Sequence, residues 1–335
     1  MKEALHYEKL NDKLVRCVLC PRQCVIKPGS LGSCRVRKNI DGKLFSLVYA
    51  RPCAVHVDPV EKKPFYHLLP GEQAFSIATI GCNFFCEFCQ NWQISKAELD
   101  AEIIEQESEL LPEQALKLCK RNECRIISYT YTEPTIFYEY MVDIARLAKK
   151  AGIKNTIVSN GYINEQPLRE LCGYIAGANI DLKGFSEDFY SKSCKGSLAP
   201  VLSTLKILKE EGVWLEITNL IVPGLNDDMK QIEDMCRWIA KELGKNVPLH
   251  FSRFHPDYKL TDAEPTPIAT LEKAHEIAKK HLDYVYIGNV AGESNTYCPK
   301  CDALLIRRSM MSVLENKLKQ GKCPKCKHKI IGVWK

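Results

Sequence analysis

Three cysteines spaced C-x3-C-x2-C lie in the stretch Thr79-Ile-Gly-Cys82-Asn-Phe-Phe-Cys86-Glu-Phe-Cys89-Gln-Asn-Trp92. This stretch follows the apolar run Ala74–Ile80, whose composition is typical of a buried β-strand. In folds of alternating strands and helices, ligand sites lie in the loops at the carboxyl ends of the strands. We therefore expect residues 79–92, hereafter the three-cysteine loop, to connect a strand to a helix and to belong to a functional site.

Outward from this loop, apolar strand-like runs alternate with helical patterns. Strands are predicted at Ala74–Ile80, Arg125–Tyr129, Lys154–Ser159, Ala178–Leu182, Val213–Val222, Pro248–Phe254 and Tyr284–Ile287. Helices are predicted at Pro112–Arg121, Thr135–Ala151, Gln166–Cys172, Ala199–Glu211, Asp228–Leu243 and Pro267–His281. The alternation predicts an α/β fold, a partial (βα)6 TIM-like barrel over residues 74–295, with a doubly wound open sheet as the alternative.

The number of thiols in the loop indicates a particular kind of metal site. Three thiolates do not complete the four-ligand shell of a structural zinc ion. They match a [4Fe-4S] cluster in which three irons carry protein thiolates and the fourth iron is open. Cys82, Cys86 and Cys89 are therefore predicted to be cluster ligands and catalytic residues, against the simpler interpretation that they are packed core thiols.

The loop resembles that of the radical S-adenosylmethionine (SAM) superfamily. The resemblance implies that the amino and carboxylate groups of SAM chelate the open iron. It also implies that an electron from the cluster cleaves SAM to methionine and a 5′-deoxyadenosyl radical. Phe88, the aromatic residue before the third cysteine, matches the superfamily pattern and would pack near the adenine of SAM.

Polar residues follow later predicted strands at the positions where this superfamily holds SAM. The resemblance implies cofactor-binding roles for Phe88, Thr132, Glu133, Asn160, Asp181, Lys183 and His255. Many relatives carry Gly-Gly-Glu-Pro where this chain has Tyr131-Thr-Glu-Pro134. The glutamate is therefore kept in this chain, whereas the two glycines are replaced. Alone, Glu133 could equally be a charge that stabilises a helix N-terminus. Asp181 and Lys183 lie two residues apart and point to one face, where they could hold the zwitterionic part of SAM.

Over essentially the whole chain, the resemblance is to the radical SAM enzymes of the AmmeMemoRadiSam system, a family related to pyruvate formate-lyase activating enzyme. It includes residues 17–24, the segment Val57–Pro64 and the loop Gly81–Trp92, while the turn Val222-Pro-Gly224 matches the activating enzymes of glycyl-radical proteins. It implies an oxidoreductase that abstracts hydrogen from a protein, as in glycyl-radical activation, or from a small molecule or peptide. A reduced flavodoxin- or ferredoxin-like protein would donate the electron.

Two further groups of four cysteines flank the predicted barrel. The C-terminal set, in residues 296–335, is Cys298, Cys301, Cys323 and Cys326. Its paired C-x2-C motifs predict a zinc ribbon, with a rubredoxin-type iron as the alternative. A forty-residue module has too little core to fold alone, so a stabilising metal is expected on physical grounds.

The N-terminal set is Cys17, Cys20, Cys24 and Cys34, in a loop-rich segment that spans residues 1–73. A C-x2-C-x3-C motif with one further cysteine can hold zinc or a second iron–sulfur cluster. The sequence favours structural zinc here, with an auxiliary cluster and then no metal as the alternatives.

Charge is distributed unevenly along the chain. Residues 1–73 carry 13 Lys and Arg against 7 Asp and Glu, residues 74–295 carry 24 against 32, and residues 296–335 carry 10 against 2. A nucleic-acid binder should present a continuous basic stripe. The acidic middle therefore disfavours the alternative of another class, a non-enzymatic, metal-dependent nucleic-acid-binding protein.

The composition also bears on location. No stretch approaches eighteen apolar residues, so no membrane partner is expected, and the first residues contain no apolar signal region. We expect a cytoplasmic protein whose 17 cysteines serve as metal ligands and core residues rather than in disulfides.

Overall fold

The computed structural model describes residues 1–97 and 109–335. The strands of the described residues are β1 (Lys2–Glu3), β2 (Tyr7–Lys9), β3 (Val15–Cys17), β4 (Val25–Ile26), β5 (Arg37–Ile40), β6 (Lys43–Ser46), β7 (Ala54–Pro59), β8 (Gln73–Ala78), β9 (Ile126–Tyr129), β10 (Lys154–Ser159), β11 (Gly177–Asp181), β12 (Trp214–Ile221), β13 (Leu249–Arg253), β14 (Val285–Gly288), β15 (Thr296–Tyr297), β16 (Leu304–Ser309) and β17 (Ser312–Asn316). The α-helices are α1 (Trp92–Ser95), α2 (Pro112–Arg121), α3 (Tyr138–Lys150), α4 (Glu165–Cys172), α5 (Glu187–Phe189), α6 (Leu198–Glu210), α7 (Met229–Glu242) and α8 (Ile268–Lys279). Short 3-10 helices cover Asn11–Lys13, Val60–Lys62 and Pro134–Phe137, and a π-helical turn covers Tyr190–Cys194.

The central sheet contains eight strands in the order β14-β13-β12-β11-β10-β9-β8-β7. Strands β8 to β14 are parallel, and each pairs with its neighbour in the chain. A doubly wound sheet requires a reversal of strand order, and this sheet has none. The predicted barrel-type fold is therefore confirmed, and the predicted seventh strand is present as β14.

Strand β7 was not anticipated from the sequence. It belongs to the N-terminal segment and pairs antiparallel with β8, from Ala54 opposite Ala78 to Pro59 opposite Gln73. The central sheet thus begins before residue 74. The N-terminal segment, expected to be a loop-rich lead-in, contributes an edge strand to it.

Local sequence signals explain how the elements begin and end. The side chain of Asp228 accepts hydrogen bonds from the backbone N–H groups of Lys230 and Gln231, which caps α7. The predicted helix Thr135–Ala151 differs slightly from the structure, because a 3-10 turn at Pro134 precedes α3. The strands of the barrel are almost wholly buried, as all four residues of β9 show. Buried parallel strands of this kind need helices on the outer face, which α2 to α8 provide.

The N-terminal segment forms two small antiparallel sheets, β1-β6-β5 and β2-β3-β4, which pack against the barrel. Buried Arg37 on β5 joins it to the barrel through Glu139 on α3, with an N–O distance of 2.6 Å. Gly81 at the start of the three-cysteine loop has a φ angle of +99°, and a Cβ atom there would lie 2.7 Å from Val36 and 3.0 Å from the carbonyl oxygen of Cys34. The loop therefore starts in direct contact with the N-terminal segment, and glycine is required at this position.

The C-terminal module contains the sheet β15-β16-β17 and packs on the barrel near β14. Arg308 is fully buried, and it donates hydrogen bonds to the carbonyl oxygen of Tyr66 and to Thr296. The ring of His67 bridges the hydroxyl of Tyr286, at 2.7 Å, and the carbonyl oxygen of Ile331, at 3.0 Å. Segments from both ends of the chain are thus joined through buried polar contacts.

Candidate active site

A cleft of about 520 Å³ opens at the carboxyl ends of the barrel strands. Predicted site residues from the three-cysteine loop and from later strand ends line it together: Cys82, Cys86, Phe88, Cys89, Thr132, Glu133, Asn160, Asp181 and Lys183. Residues separated by a hundred positions in the chain meet here because all the parallel strands end at the same edge. Of the predicted site residues of the barrel, only His255 lies outside this cleft.

The three-cysteine loop is braced on both sides. Arg22 of the N-terminal segment donates a hydrogen bond to the carbonyl oxygen of Asn83. Lys96, after α1, donates one to the carbonyl oxygen of Phe84. Phe84 and Phe88 are buried, and Phe88 stacks on Phe189 with ring centroids 5.9 Å apart. These hydrogen bonds and packed rings therefore hold the loop in its conformation.

The thiols of the loop suit a metal cluster better than a free nucleophile. Burial raises the pKa of the Cys82 thiol to about 12, so without a metal it stays protonated and unreactive. The side-chain nitrogen of Asn160 lies 3.8 Å from the Cys82 sulfur, where it can donate to a thiolate. Among the described residues, these thiols do not form a group close enough to share a single ion. That spacing fits ligands that bind separate irons of one cluster.

Glu133 is more tightly held by the protein than the sequence indicated. Its Oε1 atom accepts hydrogen bonds from the backbone and hydroxyl of Thr135 and from the hydroxyl of Ser159, at 3.0, 2.6 and 2.7 Å. Its Oε2 atom accepts one from the backbone N–H of Asn160, at 2.8 Å. Burial raises the pKa of the carboxyl group. The carboxylate joins the loops after β9 and β10, and only Oε2 has acceptor capacity left for a ligand in the cleft.

Asp181 and Lys183 form an ion pair at the end of β11, with an N–O distance of 2.8 Å. The Lys183 side chain is 17% exposed and that of Asp181 is 32% exposed. Burial disfavours the charged ammonium, but Asp181 and the neighbouring thiol of Cys86 outweigh it and raise the pKa of Lys183. The prediction that the two side chains share one face is confirmed by their contact.

Two other predicted residues, Thr132 and His255, contact other parts of the protein. The hydroxyl of Thr132 donates to the carbonyl oxygen of Thr79 at 2.7 Å, so it fixes the loop after β9. His255 is exposed and lies 2.8 Å from the side-chain nitrogen of Gln90 in the three-cysteine loop. It lines a second cavity of about 460 Å³. This cavity adjoins the first, since both are lined by Lys62, Pro64, Thr218, Ser252, Asn289 and Met311.

Lys63 is a site residue that the sequence does not single out, and Cys194, which the sequence places in a loop, lies behind the site. Lys63 lines the cleft, is 1% exposed, and pairs with Asp58 at 2.6 Å. Burial lowers the pKa of Lys63 to about 8. Cys194 is fully buried against Cys86, behind the loop and outside the cleft lining. The signal available for Lys63 was the lysine pair in the segment Val57–Pro64, and that for Cys194 was its position in a predicted loop.

The four sulfur atoms of the C-terminal set lie close together. The sulfur atoms of Cys298 and Cys326 lie 3.6 Å apart, and those of Cys301 and Cys323 lie 3.7 Å apart. All four sulfur atoms lie within 4.8 Å of one another. A tetrahedron with Zn–S bonds of about 2.3 Å has sulfur atoms about 3.8 Å apart. The residues therefore fit one tetrahedral ion.

Comparison with known proteins identifies the barrel. Residues 76–239 match the radical SAM superfamily. The chain belongs to this superfamily. It is 48% identical to an uncharacterized protein of Methanocaldococcus jannaschii over 98% of this chain and 99% of that protein. It is 23% identical to the pyruvate formate-lyase-activating enzyme of Clostridium pasteurianum over 61% of this chain and 89% of that enzyme.

The fold comparison agrees with this assignment. The crystal structure of Streptococcus suis SuiB bound to SAM superposes with a TM-score of 0.51 at 13% identity, over 69% of this chain and 53% of that chain. The family match and the activating-enzyme relative support a radical SAM enzyme similar to pyruvate formate-lyase-activating enzyme rather than a non-enzymatic protein. Membership implies that it uses a [4Fe-4S] cluster and SAM. Among the described helices, none has the length and apolar composition of a membrane span.

Proposed function

We propose that Cys82, Cys86 and Cys89 hold the [4Fe-4S] cluster of a radical SAM enzyme that abstracts hydrogen from a protein substrate. When bound, the reduced cluster supplies one electron that breaks the sulfur–C5′ bond of SAM, and the resulting 5′-deoxyadenosyl radical takes a hydrogen atom from the substrate. The observation that carries the proposal is that the three thiols and the Asp181–Lys183 pair line the same cleft.

Each residue around the thiols is suited to a different part of SAM. Lys183 is suited to the carboxylate of SAM and Asp181 to its amino group, because the ion pair already places opposite charges side by side. Phe88 offers an apolar surface for the adenine beside the third cysteine. Glu133 and Thr132 keep the loop after β9 in place, and the free capacity of Glu133 Oε2 is a second acceptor for the amino group.

The shape of the site favours a polypeptide substrate. The two adjoining cavities share six lining residues, and the second is also lined by Met310 and Met311 of the C-terminal module, which are 66% and 40% exposed. Two adjoining cavities of about 520 and 460 Å³ together have room for a polypeptide segment, and flexible methionines suit varied apolar partners. The named activating enzyme among the relatives supports a protein target. A small molecule or peptide is the second candidate, because residues 62–64 of the N-terminal segment line the first cavity and narrow the space beside the barrel strands.

Zinc in the C-terminal module is part of the same proposal. The sulfur spacing there supports it, and a structural role follows from the absence of an open ligand position in a four-thiolate site. We further propose that a reduced flavodoxin- or ferredoxin-like protein supplies the electron.

Anaerobic reconstitution tests the chemistry. The purified chain is loaded with iron and sulfide, reduced with dithionite and mixed with SAM. We expect 5′-deoxyadenosine and methionine in equal amounts. A protein that carries a complete cluster and still forms no 5′-deoxyadenosine would contradict the proposal.

Isotope transfer tests the substrate. Candidate partner proteins, grown with uniform deuterium in their amino acids, are added to the reduced enzyme with SAM. We expect deuterium in 5′-deoxyadenosine from a protein substrate. Deuterium that arrives only from a deuterated metabolite extract freed of protein would instead support the small-molecule candidate.

A further inference from the structure

The N-terminal cysteine set surrounds a small cavity of its own. Cys17, Cys20, Cys24 and Cys34 all line it, with the apolar side chains of Leu19, Ile26 and Ile136. The centre of a water molecule can move within about 20 Å³ of this cavity. When the radius of the water, about 1.4 Å, is added on every side, the void is about 6 Å across. The four thiols thus face a common interior rather than one another.

This arrangement differs from that of a single-ion site. Four thiolates around one zinc ion have sulfur atoms about 3.8 Å apart, which leaves room for the ion alone. Within residues 1–97 and 109–335, the C-terminal set meets that condition and the N-terminal set does not. A larger group with several metal atoms, each bound by one thiolate, fits the wider N-terminal spacing.

Arg37 provides an independent indication of a ligand in this cavity. Its side chain lines the cavity and is 1% exposed. One of its terminal nitrogens, Nη2, donates to both carboxylate oxygens of Glu139 at 2.6 Å. Its Nε and Nη1 groups have no hydrogen-bond partner among the described residues. Buried N–H groups without an acceptor are costly, so an acceptor is expected where the guanidinium meets the cavity.

An iron–sulfur cluster in the cavity would supply acceptors for the Nε and Nη1 groups of Arg37. A cluster bound by four thiolates carries negative charge, and its inorganic sulfides and thiolates accept N–H hydrogen bonds. Arg37 is always charged and presents its donors in a plane, so it can contact two sulfur atoms at once. Glu139 holds the guanidinium in place from the other side.

The cavity lies directly behind the three-cysteine loop. Asn83 lines it, and the side chain of Asn83 accepts a hydrogen bond from Asn160, which also approaches the sulfur of Cys82. A group in this cavity would therefore be separated from the SAM-cleaving site by little more than one side-chain layer.

We infer that the N-terminal set binds an auxiliary iron–sulfur cluster, with one thiolate from each of its four cysteines, and that Arg37 donates hydrogen bonds to the sulfur atoms of that cluster. This inference goes beyond the proposed function, because it assigns a second cluster that takes no part in binding SAM.

The decisive experiment uses a chain that cannot carry the first cluster. The triple variant Cys82→Ala, Cys86→Ala, Cys89→Ala is reconstituted anaerobically, and iron, sulfide and zinc are counted. We expect about four iron and four sulfide atoms per chain, an iron–sulfur electron paramagnetic resonance (EPR) signal after reduction, and about one zinc, which belongs to the C-terminal set. About two zinc atoms per chain, with no iron, would overturn the inference. Loss of SAM cleavage is certain in this variant, so the result is independent of the proposed function.

Further variants on the triple background assign the ligands. Cys20→Ala with Cys24→Ala should remove the remaining iron, whereas the matched control Cys236→Ala, in the buried face of α7, should not. Retention of the iron after loss of Cys20 and Cys24 would contradict the assignment.

The role of Arg37 is tested by its effect on reduction. Arg37→Gln should keep the iron count but leave a reduced fraction about 10-fold smaller at a fixed potential, because positive charge near the cluster favours the reduced state. Arg37→Lys should recover part of the loss. An unchanged reduced fraction in Arg37→Gln would show that Arg37 does not contact the cluster. If Arg37→Gln fails to fold, the metal counts of the triple variant still decide the identity of the site.

Discussion

The three-cysteine loop and the C-terminal set both contain C-x2-C motifs, but their sulfur atoms are arranged differently in the folded chain. In the C-terminal set, four sulfur atoms contact one another and leave no ligand position open. In the loop, the three thiols line a cleft of about 520 Å³ together with an ion pair. The difference teaches that the number of thiols and what they face, rather than their spacing alone, separate a metal that stabilises a fold from one that reacts with a substrate.

The largest expected effect is on catalysis, and it should be confined to the loop. Cys86→Ala removes one of three cluster ligands, so we expect formation of 5′-deoxyadenosine to fall by more than ~100-fold. Product is quantified by liquid chromatography after reduction with dithionite. Zinc content should be unchanged, and the control Cys236→Ala should remain active. Activity retained in Cys86→Ala would remove the distinction between the two sites.

The next effect should be on folding, and it should be confined to the C-terminal module. Structural zinc contributes about 10–16 kcal/mol of apparent binding free energy in small zinc domains, so Cys301→Ser should lose its zinc and unfold residues 296–335. Limited proteolysis should then cut within this module while the cluster of the loop stays bound. A protease-resistant module without zinc would show that its contacts with the barrel suffice.

A smaller effect should mark the ion pair as a SAM-binding element. A hydrogen bond to a charged group contributes about 1.5–3 kcal/mol, so Lys183→Met and Asp181→Asn should each weaken SAM binding by about 10- to 100-fold. Isothermal titration of the reconstituted protein measures the affinity. Lys206→Met is the matched control, because it removes a surface pair with Glu242 at 2.6 Å. Equal loss of iron in the Asp181 and Lys183 variants would identify these residues as structural.

The smallest effect concerns the joint between the barrel and the C-terminal module. Burial lowers the pKa of His67 to about 4, from an ordinary value of 6.5. The unfolded chain therefore binds the proton more readily. The stability that the neutral ring contributes is present above pH 6.5 and is lost as the pH falls towards 4, by at most ~1.4 kcal/mol per pH unit. Unfolding in denaturant at several pH values should show this slope, and His67→Gln should flatten it. An equal slope in both proteins would assign the dependence to other groups.

Local patterns were sufficient for much of this molecule. The strands of the barrel could be predicted because they are rich in Ile, Val, Phe and Tyr and several are nearly continuous apolar runs, and the three-cysteine loop because its cysteines are close in the chain. Strand β7 escaped prediction because Ala54–Pro59 is partly exposed, lacks a continuous apolar run and pairs antiparallel at an edge. The burial of Lys63 and the approach of Cys194 to Cys86 arise only when distant segments pack. The N-terminal set could not be assigned a metal from its spacing, since the separation of its sulfur atoms and the free donors of Arg37 are properties of the folded chain.

The central claim is that SAM binds the cluster of the three-cysteine loop directly. Electron-nuclear double resonance on the reduced protein, with SAM labelled with 15N in the amino group and 17O in the carboxylate, tests it. We predict that both labels couple to the cluster of the loop, and that the coupling is absent in Cys86→Ala. A reduced cluster on the loop that shows no coupling to either label, although SAM is bound, would contradict the claim.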